Sequence, residues 1–164
     1  MNTADILVID DDPAICQIVQ RMLSDEPYKV QTKQSVADAF GAIEQKAFDA
    51  YVIDFKLPDG SGLDVAERIQ SKWGASPIIL ISGYDPSAVA LRAEKLGISE
   101  LLEKPFSRDV ICEAVKKAIK ASNAASLLLG DPHFEHFLKE MHGLRPERTD
   151  PLFATFTVEH NTGS

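Results

Sequence analysis

The segment 6–13, ILVIDDDP, joins a short apolar run to three consecutive aspartates. Its first four residues are Ile, Leu and Val, a composition typical of a strand covered on both faces. Two unit charges about 4 Å apart repel by roughly 4 kcal/mol near a protein surface, so adjacent carboxylates need a cation, a helix end or water. The segment therefore predicts a buried strand that ends in an acidic cluster, directly before a helix that begins at Asp12-Pro13.

The rest of the chain predicts a doubly wound α/β fold. Four further segments have strand character: AYVI at 50–53, IILI at 78–81, YKVQTK at 28–33 and ELLEK at 100–104. Apolar residues at helical spacing predict five helices, at 13–24, 36–46, 63–73, 86–96 and 108–121. The apolar stripe of the first helix, which includes Ile18, is expected to face the sheet. Five repeats of strand and helix indicate a five-stranded parallel sheet with right-handed crossovers and helices on both faces.

The composition limits the class of protein. A chain of 164 residues, 45% of them hydrophobic, can bury one ordinary core. Its formal net charge of -8 disfavours nonspecific attraction to nucleic acid or to anionic membranes. The sequence contains neither a signal-peptide pattern nor an apolar stretch of membrane-spanning length, so a cytoplasmic location is expected. Cys16 and Cys112 lie in amphipathic helical patterns without a CxxC pair, which predicts reduced, buried thiols.

The predicted central strands end in chemically capable polar residues. Asp10-Asp11 follow the first strand, Asp54 the third, Ser82 the fourth and Lys104 the fifth. Because doubly wound sheets collect ligands at the carboxyl ends of their strands, these side chains are expected to meet at one edge. Converging carboxylates suit a hard cation such as Mg²⁺, and a lysine and a hydroxyl beside them supply the parts for phosphoryl transfer. Asp54 is the natural nucleophile of such a site.

Four ordered motifs, VIDDDP, VIDFKLPDGSGLDV, IILISGYD and LLEKPF, resemble the receiver (CheY-like) domain of two-component response regulators. The resemblance covers about residues 4–121. It implies a flavodoxin-like sheet with strand order 2-1-3-4-5. It also implies a receiver domain at 1–121 that is followed by a C-terminal extension at 122–164.

The resemblance implies a role for each acidic residue of the site. Asp54 would accept a phosphoryl group from a partner histidine kinase or phosphotransfer protein. Mg²⁺ would be held by Asp11, Asp54 and the backbone carbonyl of Lys56, and Asp10 would complete the acidic pocket. Such a domain switches partner binding in a phosphorelay and would not be an enzyme in the turnover sense.

The resemblance places two further residues at the phosphoryl group. Lys104 would contact the phosphoryl oxygens, and Ser82 would donate a hydrogen bond to the group once it has formed. Pro105 would supply the cis peptide bond that the family carries after the lysine.

Several positions near the site depart from the family pattern. Leu101 stands where the family usually has a switch Tyr or Phe, Ser82 replaces the more frequent Thr, and Gly83 replaces a frequent Ala. Lys56 is expected either to reach over the phosphoryl group and slow its hydrolysis, or to be an ordinary solvated loop lysine. Tyr84 borders the same entrance, as a shield or as an exposed partner contact.

Other polar residues of the motifs have structural explanations. Asp12, next to Pro13, is expected to cap the first helix. Asp59, Gly60 and Gly62 indicate turn chemistry, with the glycines supplying positive φ. Asp64 is expected to face solvent in a first helical turn.

All four histidines lie in the extension: His133, His136, His142 and His160. A zinc site is one interpretation, but no cysteine accompanies them, and residues 132–142 equally predict a short amphipathic helix whose apolar face needs a partner. LFATFTV at 152–158 has strand composition. The extension is too short and too acidic for a helix-turn-helix module, so no direct nucleic-acid binding is expected. The chain is either a stand-alone receiver or the front part of a longer regulator.

Two rival functions stay open at this point. One is a receiver-like binding module that acts without phosphorylation. The other is an aspartyl-phosphate phosphatase, which would usually need an acid-base Asp at the position of Lys56. The partner of the switch would be a downstream protein or a missing output domain. A homodimer through the fourth and fifth helices is common in the family.

Overall fold

The structure is a computed structural model that describes residues 3–83 and 87–130. Five strands form a parallel sheet in the order β2-β1-β3-β6-β7, and two short strands form a separate antiparallel hairpin, β4-β5. The strands are β1 (Ala4–Ile9), β2 (Tyr28–Lys33), β3 (Ala50–Asp54), β4 (Lys56–Leu57), β5 (Gly60–Ser61), β6 (Ile78–Ser82) and β7 (Glu100–Glu103). The helices are α1 (Pro13–Met22), α2 (Val36–Gln45), α3 (Gly62–Trp73), α4 (Ser87–Lys95) and α5 (Arg108–Leu129).

The sheet order confirms the predicted doubly wound fold, since the five parallel strands follow the order 2-1-3-4-5 when they alone are numbered. The strand register also aligns their carboxyl ends. Ile9 pairs with Ile53, Asp54 with Ile81, and Ser82 with Glu103. The polar residues at and just after these ends therefore lie along one edge of the sheet.

Both faces of the sheet are covered, which explains the continuous apolar strand sequences. Along β3, Tyr51 and Ile53 belong to the core beneath α2 and α3, whereas Ala50 and Val52 belong to the core beneath α1 and α5. All four side chains are fully buried. A strand buried on both faces has no polar alternation for a sequence to display.

The prediction that Ile18 faces the sheet was wrong. Its side chain is 47% exposed and does not belong to the sheet-facing stripe of α1. The buried residues of α1 include Cys16 and Val19, and Leu23 just beyond the helix is also buried. At about 100° per residue, Ile18 lies a quarter-turn away from Val19, at the border of the face that the sheet covers. The helical spacing of an apolar residue therefore does not by itself ensure that the residue is buried.

Two other elements differ from the predictions. Helix α5 continues to Leu129 and not to 121, because residues 122–129 are rich in Ala, Ser and Leu and contain neither Gly nor Pro. The β4-β5 hairpin was not predicted, since two-residue strands leave no periodic signal. The division of the chain at residue 121 itself stays a prediction.

Two further predictions concern the cysteines and the membrane. Cys16 and Cys112 are free and buried, as predicted. Among residues 3–83 and 87–130, no helix combines the length and apolar composition needed to cross a membrane. Several predictions lie outside the described residues: the roles of Tyr84 and the histidines, the helix start at Asp85-Pro86, and the elements at 132–142 and 152–158.

Candidate functional site

Three carboxylates converge where β1 and β3 end. Asp10, Asp11 and Asp54 each offer an oxygen within 4.8 Å of the others. Asp10 is completely buried and Asp54 is 6% exposed, whereas Asp11 is exposed. The site thus has two carboxylates inside the protein and one at its mouth.

Lys104 supplies the cation that this cluster needs. Its Nζ lies 2.9 Å from Oδ2 of Asp10 and 3.3 Å from Oδ2 of Asp54. The lysine directly follows β7, and its backbone N–H donates to the carbonyl of Ser82 at 2.8 Å. One ammonium therefore bridges two buried carboxylates.

The pKa values of the central pair reflect this arrangement. Burial raises the pKa of Asp54, the charge of Asp10 raises it further, and Lys104 opposes both effects. Burial alone would lower the pKa of Lys104, but the hydrogen bond to Asp10 and the charge of Asp54 outweigh it, so its pKa is raised. Lys104 therefore stays an ammonium at neutral pH.

Asp10 and Asp12, two of the three consecutive aspartates, have separate hydrogen-bond partners. Asp10 uses Oδ1 to accept from the backbone N–H of Asp12 at 2.9 Å, and Oδ2 to accept from Lys104. Asp12 caps α1 by accepting from the N–H of Ala14 at 2.9 Å, as predicted. The exposed carboxylate of Asp11 is left at the mouth of the site, where it lines the cleft. Lys104 therefore offsets the negative charge of Asp10, and the N-terminus of α1 stabilises that of Asp12.

The end of β6 lies at the same edge of the sheet. Ser82 is 1% exposed, and the Gly83 that follows is exposed, with open space where a Cβ would stand, since no atom lies within 4 Å of that point. The peptide bond between Lys104 and Pro105 is cis, as the family resemblance implied. Ser82, Lys104 and Pro105 thus stand at the same strand edge as the aspartates.

An open cleft of about 500 Å³ gives access to this edge, and it is lined by Asp11, Asp54, Lys56, Leu57, Pro58, Gly83 and Lys104. The backbone N–H of Lys56 donates to Oδ1 of Asp54 at 3.4 Å. The cleft is large enough for a small anion together with a hydrated cation. Its donors are hard oxygen ligands, which fit Mg²⁺ and similar divalent cations.

Leu101 does not line the cleft. It pairs with Leu80 across the sheet and packs, partly buried, against the core beneath α2 and α3. Its role in signal transmission therefore stays a prediction.

The loop after Asp54 contains one correction. Gly60 and Gly62 do not supply positive φ; of the described glycines, only Gly74 and Gly97 do. Gly62 is required by close approach instead, because a Cβ there would lie 2.2 Å from the backbone oxygen of Asp54.

The same loop contains a structural role that the sequence did not reveal. The carboxylate of Asp59 accepts from the backbone N–H groups of Val36 and Ala37, at 2.8 and 3.0 Å. This contact joins residues more than twenty positions apart, so no local sequence signal predicts it. Asp64, interpreted as solvent-facing, is exposed and also completes a capping box with Ser61 at the start of α3.

Comparisons with known proteins agree with this architecture. The acid tolerance regulatory protein ActR of Rhizobium meliloti is 34% identical over 110 residues, which are 67% of this chain and 57% of ActR. The response regulator protein PilR of Pseudomonas aeruginosa is 29% identical over 123 residues, which are 75% of this chain and 28% of PilR. The chain thus spans less than two thirds of each of these relatives.

Solved structures give the same result. The beryllofluoride-activated NtrC4 receiver domain dimer, determined in solution, is 31% identical and superposes with a TM-score of 0.67, covering 71% of this chain and 96% of that chain. The family model of the response regulator receiver domain matches residues 6–116, which include every strand of the parallel sheet except the first two residues of β1. The chain therefore belongs to the response regulator receiver domain family of two-component systems.

Proposed function

We propose that this chain is a phosphorylation switch in which Asp54 accepts a phosphoryl group from a histidine kinase or phosphotransfer protein. One observation carries the proposal: the nearly buried carboxylate of Asp54 lies at the base of an open cleft, between the ammonium of Lys104 and the exposed carboxylate of Asp11. A nucleophile, a cation and a metal ligand thus face the same small space.

Mg²⁺ would be held by the side chains of Asp11 and Asp54 and by the backbone carbonyl of Lys56. When bound, it would neutralise phosphoryl oxygens and keep several of its waters. Asp10 would take part through its charge and through Lys104, since both of its oxygens already accept hydrogen bonds from protein groups.

In the transfer step, a carboxylate oxygen of Asp54 forms a bond to phosphorus while the bond from phosphorus to the donor's imidazole nitrogen breaks. The electron pair of the broken bond stays on that nitrogen. Lys104 neutralises the negative charge on the phosphoryl oxygens, and the hydroxyl of Ser82 donates to one of them after transfer. Burial and the charge of Asp10 raise the pKa of Asp54, and the ammonium of Lys104 opposes both effects and favours the carboxylate form that the transfer needs.

The proposed partners are the phosphodonor protein and a downstream target or output domain. The curated relatives PilR and ActR are longer than this chain, and their names describe them as regulatory proteins. The NtrC4 receiver domain was solved as a dimer activated by beryllofluoride, a phosphoryl mimic, which supports testing the same activation and dimerisation here. The chain would act as a cytoplasmic signalling protein and not as a turnover enzyme.

Acetyl phosphate with Mg²⁺, followed by intact-protein mass spectrometry, tests the proposal. The wild type should gain one phosphoryl group, and Asp54→Asn should gain none. Asp25→Asn is the matched control, because Asp25 is an exposed aspartate on a surface ion pair with Arg108. It should label like the wild type.

Each rival function predicts a different result. A binding module that acts without phosphorylation would not be labelled by acetyl phosphate. Its wild type and its Asp54→Asn variant would bind the partner with equal affinity. An aspartyl-phosphate phosphatase would release phosphate from an external phosphoester over many turnovers. Lys56, where such enzymes usually place an acid-base aspartate, supports the switch over the phosphatase.

A further inference from the structure

We propose that Asp59 is a positioning residue for the metal site: it holds the β4-β5 hairpin, and with it the Lys56 backbone, against the N-terminus of α2. This inference rests on the proposed function, because it concerns the Mg²⁺ that the function requires. Asp59 itself does not line the cleft.

The contact is a shared helix cap. The first N–H groups of a helix have no partner within the helix. In α2, Ser35 accepts from the N–H of Asp38 at 3.1 Å, whereas Asp59 accepts from Val36 and Ala37. Thus Asp59, from a different part of the chain, completes the cap that Ser35 begins.

The electrostatics of this contact favour a firm connection. A carboxylate at a helix N-terminus interacts favourably with the helix dipole, and hydrogen bonds to a charged acceptor are stronger than neutral ones. The two backbone N–H donors, Ala37 first and Val36 second, lower the pKa of Asp59. The side chain therefore holds its two donors as a carboxylate across the neutral pH range.

A short chain of contacts leads from Asp59 to the cleft. Asp59 lies in the turn between β4 and β5, where Leu57 pairs with Gly60 and Lys56 pairs with Ser61. A Cβ on Gly60 would come within 3.2 Å of the Val36 side chain, so this side of the turn lies against α2. A displacement of the turn would consequently move the backbone of Lys56.

The hairpin needs an external support because it is too small to be stable alone. Each of its strands has two residues, and isolated hairpins are marginal in water even when they are longer. At its inner end, the N–H of Gly62 donates to the carbonyl of Phe55 at 2.7 Å. Asp59 provides the corresponding support at the outer end.

The experiment compares Asp59→Ala with Ser35→Ala, which removes a cap from the same helix without touching the hairpin. Mg²⁺ binding is measured by isothermal titration calorimetry, and thermal unfolding shows that each variant is folded. We expect Asp59→Ala to bind Mg²⁺ about 10-fold more weakly, which is the lower end of the loss caused by removing a residue that supports a metal ligand. Ser35→Ala should bind Mg²⁺ like the wild type, although both variants lose stability.

Two further readouts separate positioning from stability. In the wild type, Mg²⁺ should slow hydrogen exchange at the N–H groups of Val36 and Ala37, because coupling between two sites is reciprocal. In Asp59→Ala this effect of Mg²⁺ should disappear. Saturating Mg²⁺ should restore acetyl phosphate labelling of Asp54 in the variant, since Asp59 does not touch the phosphoryl group. Asp59→Asn keeps an acceptor oxygen, so its Mg²⁺ affinity should lie between that of the wild type and that of Asp59→Ala.

Two results would overturn the inference: a folded Asp59→Ala with wild-type Mg²⁺ affinity, or an equal loss of affinity in Ser35→Ala. If Asp59→Ala does not fold, Asp59→Asn decides in the same way. A wild type that binds no Mg²⁺ would instead overturn the proposed function, and the inference would fall with it. Normal Mg²⁺ binding by the wild type and by Asp59→Ala would overturn the inference alone.

Discussion

Gly62 lies against the backbone carbonyl of Asp54 so closely that a Cβ at residue 62 would stand 2.2 Å from the carbonyl oxygen. The start of α3 is therefore packed directly on the residue that we propose to be phosphorylated. No side chain other than hydrogen fits without a shift of the backbone.

Gly62→Ala should therefore lower both stability and labelling. Overpacking a well-packed position typically costs about 1–3 kcal/mol, and a backbone oxygen cannot rotate away from the added methyl group. Urea unfolding measures the first effect and acetyl phosphate labelling of Asp54 the second. The matched control is Gly41→Ala in α2, where a Cβ meets nothing within 4 Å. The control should gain about 0.5–1 kcal/mol, and wild-type stability in Gly62→Ala would contradict the steric explanation.

Asp11 and Asp12 are adjacent and should give opposite phenotypes. Asp11→Ala should abolish Mg²⁺-dependent phosphorylation, because it removes the exposed carboxylate at the mouth of the cleft. Asp12→Ala should keep phosphorylation and lose about 1 kcal/mol of stability, the usual cost of a lost helix cap. Labelling and urea unfolding of both variants decide the assignment. Equal labelling of the two variants would contradict it.

Lys56 offers a test of phosphoryl lifetime. Its side chain is exposed and lines the cleft beside Asp54, where it could hinder an attacking water. We predict that Lys56→Ala shortens the half-life of phosphorylated Asp54 by about threefold to tenfold, which is roughly 0.6–1.4 kcal/mol in the hydrolysis barrier. Lys29→Ala, on the exposed face of the edge strand β2, is the control. A half-life that does not change in Lys56→Ala sinks the hypothesis.

Glu44 predicts a pH-dependent contribution to stability. Hydrogen bonds from Lys72 and then Arg68 lower the pKa of its carboxyl below the ordinary value. Because the folded-state pKa is the lower one, the stabilisation is present above the ordinary pKa and is lost as the pH falls through the folded-state value. Glu44→Gln should thus be less stable than the wild type at pH 7 and equally stable in strong acid, by urea unfolding at each pH.

Salt provides the control for the Glu44 prediction. The ion pairs of Glu44 lie on the surface, so high salt should reduce the difference at pH 7. Glu67→Gln changes another exposed glutamate, on α3, that makes no ion pair with the described residues. A difference between wild type and Glu44→Gln that persists in strong acid would show that charge is not its cause.

The sequence was most informative where one residue carries one local signal. The strands β1, β3 and β6 were recognisable because a strand buried on both faces must be continuously apolar. Asp12 was recognisable as a cap because its donor, the N–H of Ala14, is two residues away. The carboxyl ends of parallel strands share one edge of the sheet. The positions of Asp10, Asp54, Ser82 and Lys104 after predicted strands were therefore enough to predict that they lie at one edge.

Predictions failed where two distant segments decide the outcome. Ile18 has the spacing of a core residue, but its side chain lies beyond the part of α1 that the sheet and α5 cover, so it is exposed. Gly60 and Gly62 were assigned to positive φ, whereas the requirement at Gly62 comes from the carbonyl of Asp54. A glycine that avoids a contact and a glycine that adopts positive φ look the same in a sequence.

By itself, the sequence determined the order of strands and helices, the identity of the acidic cluster and the family to which its motifs are similar, because these depend on periodicity, capping and residue type. Only the tertiary structure decided how the charges are paired. In the folded chain, Lys104 pairs with Asp10 and Asp54, and Asp11 lines the mouth of the cleft. Asp59 accepts hydrogen bonds from the N-terminus of α2. Those contacts depend on distances between segments that are remote in sequence, and such distances are set by packing and not by local pattern.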